Sequence, residues 1–224
     1  MITGDYTDLF IEHFPFWEHL SQSEKELLSS NTKTANYKKG DILHGGNEDC
    51  VGVIIVKKGQ LRAYMLSDEG KEITLYRLYK DDVCIMSASC VYDAITFDVF
   101  VEAVEDCEIL IISSKIFDKL SRQNIYVEAF SYKLATTRFS DVMWTMQQIL
   151  FMSFDKRLAI FLLDEANKTG LDEIKLTHEQ IAKLMGSARE VVTRMLKYFA
   201  DEKIVNVSRG VIKITDKNKL RALI

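Results

Sequence analysis

Between Ile125 and Met152 the chain carries neither glycine nor proline, and its apolar residues fall at helical spacing. Two stripes fit the stretch. Tyr132, Ala135, Phe139, Val142, Met146 and Ile149 recur every three or four residues, while Val127, Phe130, Leu134, Thr137, Trp144 and Phe151 form a second row broken by Asp141 and Gln148. A helix with two apolar stripes has to bury both. One can lie on the chain's own preceding domain. The simplest cover for the other is the same helix of a second copy, which predicts a homodimer; burial of both inside a monomer is the alternative.

The sequence before this helix has β punctuation. From Tyr37 to Ile112, runs rich in β-branched residues (Val51–Val56, Gln60–Leu66, Ile73–Leu78, Thr96–Val101 and Glu108–Ile112) alternate with glycines and with turn chemistry such as Ser67-Asp68-Glu69-Gly70. Short strands at this spacing suggest a sandwich, jelly roll or barrel. Upstream, Ser21-Gln22-Ser23-Glu24 reads as a capping box that opens a helix. Beyond the long helix, Phe154 to about Lys168 is helical and Gly170 is a turn. Two helices follow, then a hairpin (Ile204–Val207, turn Ser208-Arg209-Gly210, Val211–Ile214) and a short last helix. The expected class is α+β, with residues 1–122 a β domain with N-terminal helices, 123–153 a dimerisation helix and hinge, and 154–224 a C-terminal helical domain.

With 224 residues, 47% of them hydrophobic and 28% charged, the chain is globular and has room for two ordinary domains. Its net charge of −4 conceals an asymmetry. Residues 1–154 hold 15 Lys and Arg against 23 Asp and Glu, a net of −8, whereas residues 155–224 hold 14 against 10, a net of +4. An acidic body on a basic tail suits a nucleic-acid-binding domain joined to a sensory one. No apolar run approaches the ~18 residues of a membrane span, and the N-terminus lacks a signal-peptide pattern. A cytoplasmic location without a membrane partner is therefore expected.

The four cysteines, Cys50, Cys84, Cys90 and Cys107, form no C-x-x-C pair, which removes zinc-ribbon and thioredoxin chemistry. Buried free thiols are the default in a cytoplasmic chain. His44 is the lone histidine of the β region, so the ligand cluster of a metal-dependent cupin enzyme is missing there. No P-loop, Gly-x-Ser-x-Gly elbow or His-Glu-x-x-His occurs either. The sequence reads as no enzyme, with no metal site and no identified cofactor.

The most specific segment is Leu176-Thr177-His178-Glu179-Gln180-Ile181-Ala182-Lys183-Leu184-Met185-Gly186-Ser187. Thr177 with Gln180 forms a capping box, so a helix starts at His178. Gly186 supplies the sharp bend between two crossing helices, and Ser187 is expected to cap a second helix from Ala188 to about Phe199. Val191, Val192, Met195, Leu196 and Phe199 point inward, leaving Arg189, Glu190, Thr193, Arg194 and Lys197 outside. This is a helix-turn-helix with a basic outer face, and the hairpin makes it winged. An arginine fork can bond O6 and N7 of guanine, and a carboxylate can accept from N4 of cytosine. Recognition helices read bases mainly with their N-terminal residues, where Arg189, Glu190, Thr193 and Arg194 lie. The competing readings are a solvated face with a Ser187–Glu190 capping box, or a ligand-binding module whose C-terminal helices bind protein.

These residues resemble the Crp–Fnr family of bacterial transcription regulators over nearly the whole chain. The β-roll marks are Lys39-Gly40-Asp41-Ile42, Lys58-Gly59-Gln60-Leu61, Asp68-Glu69-Gly70-Lys71-Glu72-Ile73 and Asp82-Val83; the DNA-binding mark is Thr177-x8-Gly186-Ser187-Ala188-Arg189-Glu190-x3-Arg194-x-Leu196-Lys197. The resemblance implies a cupin-like β-roll (a double-stranded β-helix), a long dimerisation helix and a winged helix-turn-helix that reads double-stranded DNA as a palindrome. It assigns base reading of a TGA-containing half-site to Arg189, Glu190 and Arg194, with Thr193 nearby. Thr177, Ser187 and Lys197 fall to phosphates, and RNA polymerase is the implied protein partner.

The departures from that family are informative. Members that bind cyclic nucleotides have a Gly-Glu pair where this chain has Ile85-Met86, and an Arg-Ser or Arg-Thr pair where it has Phe97-Asp98. Without its arginine, and with a carboxylate nearby, the site would repel a cyclic phosphate, so the signal is expected not to be cyclic AMP. Ile85, Met86, Phe97, Asp98, Val142 and Met143 mark the corresponding pocket, which either takes a small apolar effector or is filled by its own side chains. Cys84, Cys90 and Cys107 offer an alternative redox or metal role. An iron–sulfur cluster or haem is not favoured, because no cysteine precedes Cys50 and His44 stands alone.

Overall fold

A computed structural model of the chain describes residues 6–45, 51–85 and 98–224. Two compact units form, one of Met1–Leu66 with Leu75–Val142 and the other of Ser67–Thr74 with Met143–Ile224.

The first unit opens with α1 (Thr7–His13), a single-turn 3-10 segment (Trp17–His19) and α2 (Gln22–Ser30). The expected capping box starts α2: the Ser21 amide donates to Glu24 at 2.7 Å, and the Glu24 amide donates to the Ser21 hydroxyl at 3.4 Å. Among the described residues eight strands follow: β1 (Thr32–Tyr37), β2 (Ile42–Gly45), β3 (Val53–Lys58), β4 (Leu61–Leu66), β5 (Glu72–Leu78), β6 (Val83–Cys84), β7 (Phe100–Ala103) and β8 (Cys107–Ile112). They make two four-stranded sheets, ordered β1-β8-β3-β6 and β2-β7-β4-β5. Of the run expected over Thr96–Val101, Thr96 and Phe97 lie outside the described residues, and the strand is described from Phe100. Its register is set by antiparallel pairing, with Val101 opposite Ala63 and Phe100 opposite Tyr64.

Strand alternation gives the β1-β8-β3-β6 sheet two apolar faces. Val53, Ile55, Val83, Ile85, Leu110 and Ile112 face a core shared with Phe10, Phe14, Trp17 and Leu28, and with Phe117 and Leu120 of α3 (Ser114–Gln123). Ile54, Val56, Cys84, Ile109 and Ile111 face a second core that also holds Leu61, Ala63, Leu75, Tyr76, Leu78 and Val101 of the other sheet. Both faces are buried, which is why β3 reads as a continuous apolar run. Gly52 precedes it with φ +122°, and a Cβ there would lie 2.1 Å from the Ile112 carbonyl oxygen, so β3 and β8 can approach only over a glycine. The same sandwich buries an ion pair: Arg62, 1% exposed, donates to the buried Glu102 at 2.9 Å and stacks on Tyr64. Pairing is what makes such burial tolerable.

The long helix is α4 (Ile125–Phe151). Val127, with Phe130 and Leu134, packs into the core on the α1 side, so the second stripe is used in its N-terminal half. Farther along that row Trp144 and Phe151 are exposed, as are Tyr132, Phe139, Met146 and Ile149 of the first stripe. Arg138 belongs to neither stripe yet is buried. It donates to the Val83 carbonyl (3.1 Å) and to Asp141 (2.9 Å), with its guanidinium 5.1 Å from the Tyr76 ring centre.

In the second unit, α5 (Phe154–Thr169) ends at Gly170 in the left-handed conformation. It is followed by β9 (Glu173–Ile174), α6 (His178–Met185), α7 (Arg189–Asp201), β10 (Val205–Ser208), β11 (Val211–Ile214) and α8 (Lys217–Ala222). The strands pair in the order β10-β11-β9. One core unites Leu158, Leu162 and Ala166 with Ile181, Val192, Leu196, Phe199, Ile212 and Leu220.

Candidate nucleic-acid interface

The site is built from the junction of α6 and α7. At the start of α6 the Thr177 hydroxyl oxygen accepts from the Gln180 amide (3.2 Å), and the Gln180 side chain accepts from the Thr177 amide (2.9 Å). Thr177 is exposed, and its O–H remains able to donate outward. At the other end Gly186 takes φ +60°, and the Ser187 amide returns to the Ala182 carbonyl at 2.9 Å. That closure is a helix C-cap, and it corrects one expectation. Ser187 is spent ending α6, so Ala188 is the N-cap residue of α7, and the Ser187–Glu190 capping box is not formed. The second helix also runs two residues past Phe199, to Asp201. From within the unit, Arg157 donates to the Met185 carbonyl at 2.7 Å and so holds the end of α6.

On α7, Val192, Leu196 and Phe199 are buried, and Val191 and Met195 are half-buried. Arg189, Glu190, Thr193, Arg194 and Lys197 are all exposed, so the structure brings the expected reading residues onto one open face; Ser187 is half-buried at its edge. Thr193 also accepts or donates across to α6, with its hydroxyl 2.9 Å from His178 Nδ1. Sequence spacing missed this contact, because it joins side chains fifteen residues apart on two crossing helices.

The hairpin contributes a further group. Ser208 pairs with Val211, leaving Arg209 and Gly210 as a two-residue turn with Gly210 at φ +73°. Between this tip and the helices lies a cleft of about 450 Å³ lined by Thr177, Glu179, Arg189, Ser208 and Arg209 among others. The N-terminus of α6 opens toward it, where orphan amides and the helix dipole favour an anion. Arg209 was legible only as turn chemistry; its exposure beside Arg189 comes from the fold.

The residues expected at the effector pocket do not share one wall. Ile85 is fully buried in the core facing α1, whereas Val142 packs on the core between the sheets. Ile85, the residue after β6, lies in the core opposite that of Cys84, a geometry that matching Ile85 to the family's residue pair did not capture. Asp98 is exposed and Met143 half-exposed, while Met86, Phe97 and Cys90 lie outside the described residues. Cys84 and Cys107 are buried and free. The Cys107 thiol donates to the carbonyls of Glu105 (3.1 Å) and Gln60 (3.3 Å), and burial pushes it above its ordinary range. Such thiols are poor nucleophiles. Among the described residues no helix is long and apolar enough to cross a membrane.

A winged helix-turn-helix with an exposed basic recognition helix, preceded by a β-roll and a long helix, is the architecture of a DNA-binding regulator. Comparison with known proteins agrees. The Crp-like helix-turn-helix domain matches residues 156–223, and the cyclic nucleotide-binding domain matches residues 34–124. A solved structure from Eubacterium rectale, described as a crp/fnr-family transcriptional regulator, is 48% identical to this chain. It aligns over 95% of this chain and 98% of its own, with a TM-score of 0.89. The cAMP-activated global transcriptional regulator CRP of Haemophilus influenzae is 26% identical over 75% of this chain and 77% of its own. The anaerobic regulatory protein of Bacillus subtilis is 23% identical over 90% and 84%. The chain belongs to the Crp/Fnr family, and it is a DNA-binding transcription regulator, not an enzyme.

Proposed function

We propose that this regulator acts as a homodimer on a palindromic operator with TGA-containing half-sites, under a signal at the β-roll that is not cyclic AMP. The observation that carries the reading is the open row Arg189, Glu190, Thr193 and Arg194 at the N-terminal end of α7. Arg189 and Arg194 supply forks for guanine O6 and N7, and Glu190 supplies an acceptor for cytosine N4. Because no capping box claims Glu190, its carboxylate is available for that role. Thr177, Ser187, Lys197 and the wing-tip Arg209 surround the row as phosphate partners, fixing register without reading sequence.

Dimerisation is supported by the exposed apolar row of α4, which leaves Tyr132, Phe139, Met146 and Ile149 without cover. Two recognition helices must then stand about 34 Å apart, one helical turn, to enter successive major grooves. A β-roll signal would act by shifting α4 and re-aiming those helices, and RNA polymerase is the downstream partner. The place of action is the cytoplasm, where the DNA is. For the signal, the Asp98 carboxylate weighs against a cyclic phosphate; a small apolar effector and a cavity filled by its own side chains both remain compatible with it.

The test is operator selection from random duplex DNA by the purified full-length chain, followed by titration at several salt concentrations. The reading expects a two-fold-symmetric consensus with TGA in each half and affinity falling steeply with salt. A chain that enriches no duplex, or whose binding is indifferent to salt, contradicts it.

A further inference from the structure

In the first unit, three side chains converge on a point the proposed function does not use. Glu12 and His13 occupy the last turn of α1, and Asp81 occupies the turn between β5 and β6. One donor atom from each lies within 4.8 Å of the others. The His13 side chain is only 6% exposed, and its Nε2 has no hydrogen-bond partner. That nitrogen faces Asp81 Oδ1 at 3.8 Å, beyond hydrogen-bonding distance. A buried polar atom with no partner is costly and calls for an explanation.

Asp81 is placed independently of His13. Its φ is +73°, in the left-handed region, and its amide donates to the Val56 carbonyl at 2.8 Å. The neighbouring Asp82 closes the turn, donating to the Tyr79 carbonyl (3.0 Å) and accepting from the Tyr79 amide (2.8 Å). The C-terminal end of α1, where Glu12 and His13 lie, carries the negative end of the helix dipole and so favours a cation.

We propose that Glu12, His13 and Asp81 form a binding site for a divalent first-row transition-metal ion. Imidazole nitrogen with carboxylate oxygen suits zinc and its neighbours, whereas calcium and magnesium prefer oxygen ligands alone. With bonds of about 2.0–2.2 Å, two donors on one ion stand no more than about 4.4 Å apart. The 3.8 Å His13–Asp81 separation already meets that limit, and Glu12, which is exposed, has room to close the remainder. The competing cation is Lys80, whose Nζ lies 3.8 Å from the other Asp81 oxygen on a side chain 72% exposed and so easily displaced. Three protein donors leave a position for water or an outside ligand.

The test uses the full-length chain, stripped with chelator, kept reduced and titrated with cobalt(II) chloride. The proposal expects one equivalent bound per chain, with visible ligand-field bands and no thiolate-to-cobalt charge transfer. Asp81→Asn keeps a residue that tolerates left-handed backbone, and His13→Gln removes the imidazole. Each should weaken binding by at least the ~10–100-fold that losing even an outer partner costs. If His13→Gln does not fold, Asp81→Asn alone decides. No binding, thiolate bands, or variants that hold cobalt as tightly as the parent would overturn the site.

Discussion

His178 Nδ1 lies 2.9 Å from the Thr193 hydroxyl, joining the first residue of α6 to the middle of the recognition helix. The hydroxyl of an expected base-reading residue thus already has a partner on α6. Thr193→Val should therefore act through helix placement, weakening binding to every operator variant alike and lowering stability by about 1 kcal/mol. Competition binding against single-base operator variants, with urea unfolding, measures both. A preference altered at one base pair would show Thr193 reading a base directly.

Arg194 is exposed on the same face. Arg194→Ala should cost about 1–3 kcal/mol and relax preference at one base pair. The measurement is the same competition panel, and uniform weakening would contradict a base-reading role.

Lys197 lies one turn beyond Thr193 on the exposed side of α7, where the proposed function gives it a phosphate contact. Lys197→Ala should lower the slope of log affinity against log salt by about one while leaving sequence preference intact. An unchanged slope removes it from the phosphate contacts.

The open row on α4 can be tested with a single charge. Phe139→Asp places a carboxylate amid exposed apolar residues and should yield a monomer by sedimentation with unaltered circular dichroism, since Phe139 is 65% exposed. Operator affinity should collapse with the dimer. A variant that stays dimeric would place the subunit contact elsewhere.

Glu24 gives a pH prediction. The Ser21 hydroxyl and amide hold its carboxyl below the usual 4.5. A depressed folded value means the box stabilises fully above the unfolded value and is lost as pH falls through the folded one. Urea midpoints between about pH 5 and pH 3 should therefore fall more steeply for the parent than for Glu24→Gln. Parallel curves would show that the carboxylate contributes nothing.

The parts of this fold legible in sequence were those specified by neighbours in the chain. The capping boxes at Ser21 and Thr177 need residues only three apart, and Gly186 announces its own left-handed turn. Strand β9 was not legible: two residues, Glu173 and Ile174, become a strand only by pairing with Lys213 and Ile212. Helix α1, seven residues with no side-chain cap, carries no start signal. The open face of α7 followed from period alone, yet its tie to His178 and its neighbour Arg209 needed the crossing of two helices and the reach of the wing. The same limit hid the meeting of His13 with Asp81.

Arg138 anchors α4 part-way along its length, gripping the Val83 carbonyl in strand β6. The same guanidinium also holds Asp141, so one side chain ties a strand carbonyl to the next turn of the helix. Truncating it would leave the buried Val83 carbonyl without that donor and unseat α4 from β6.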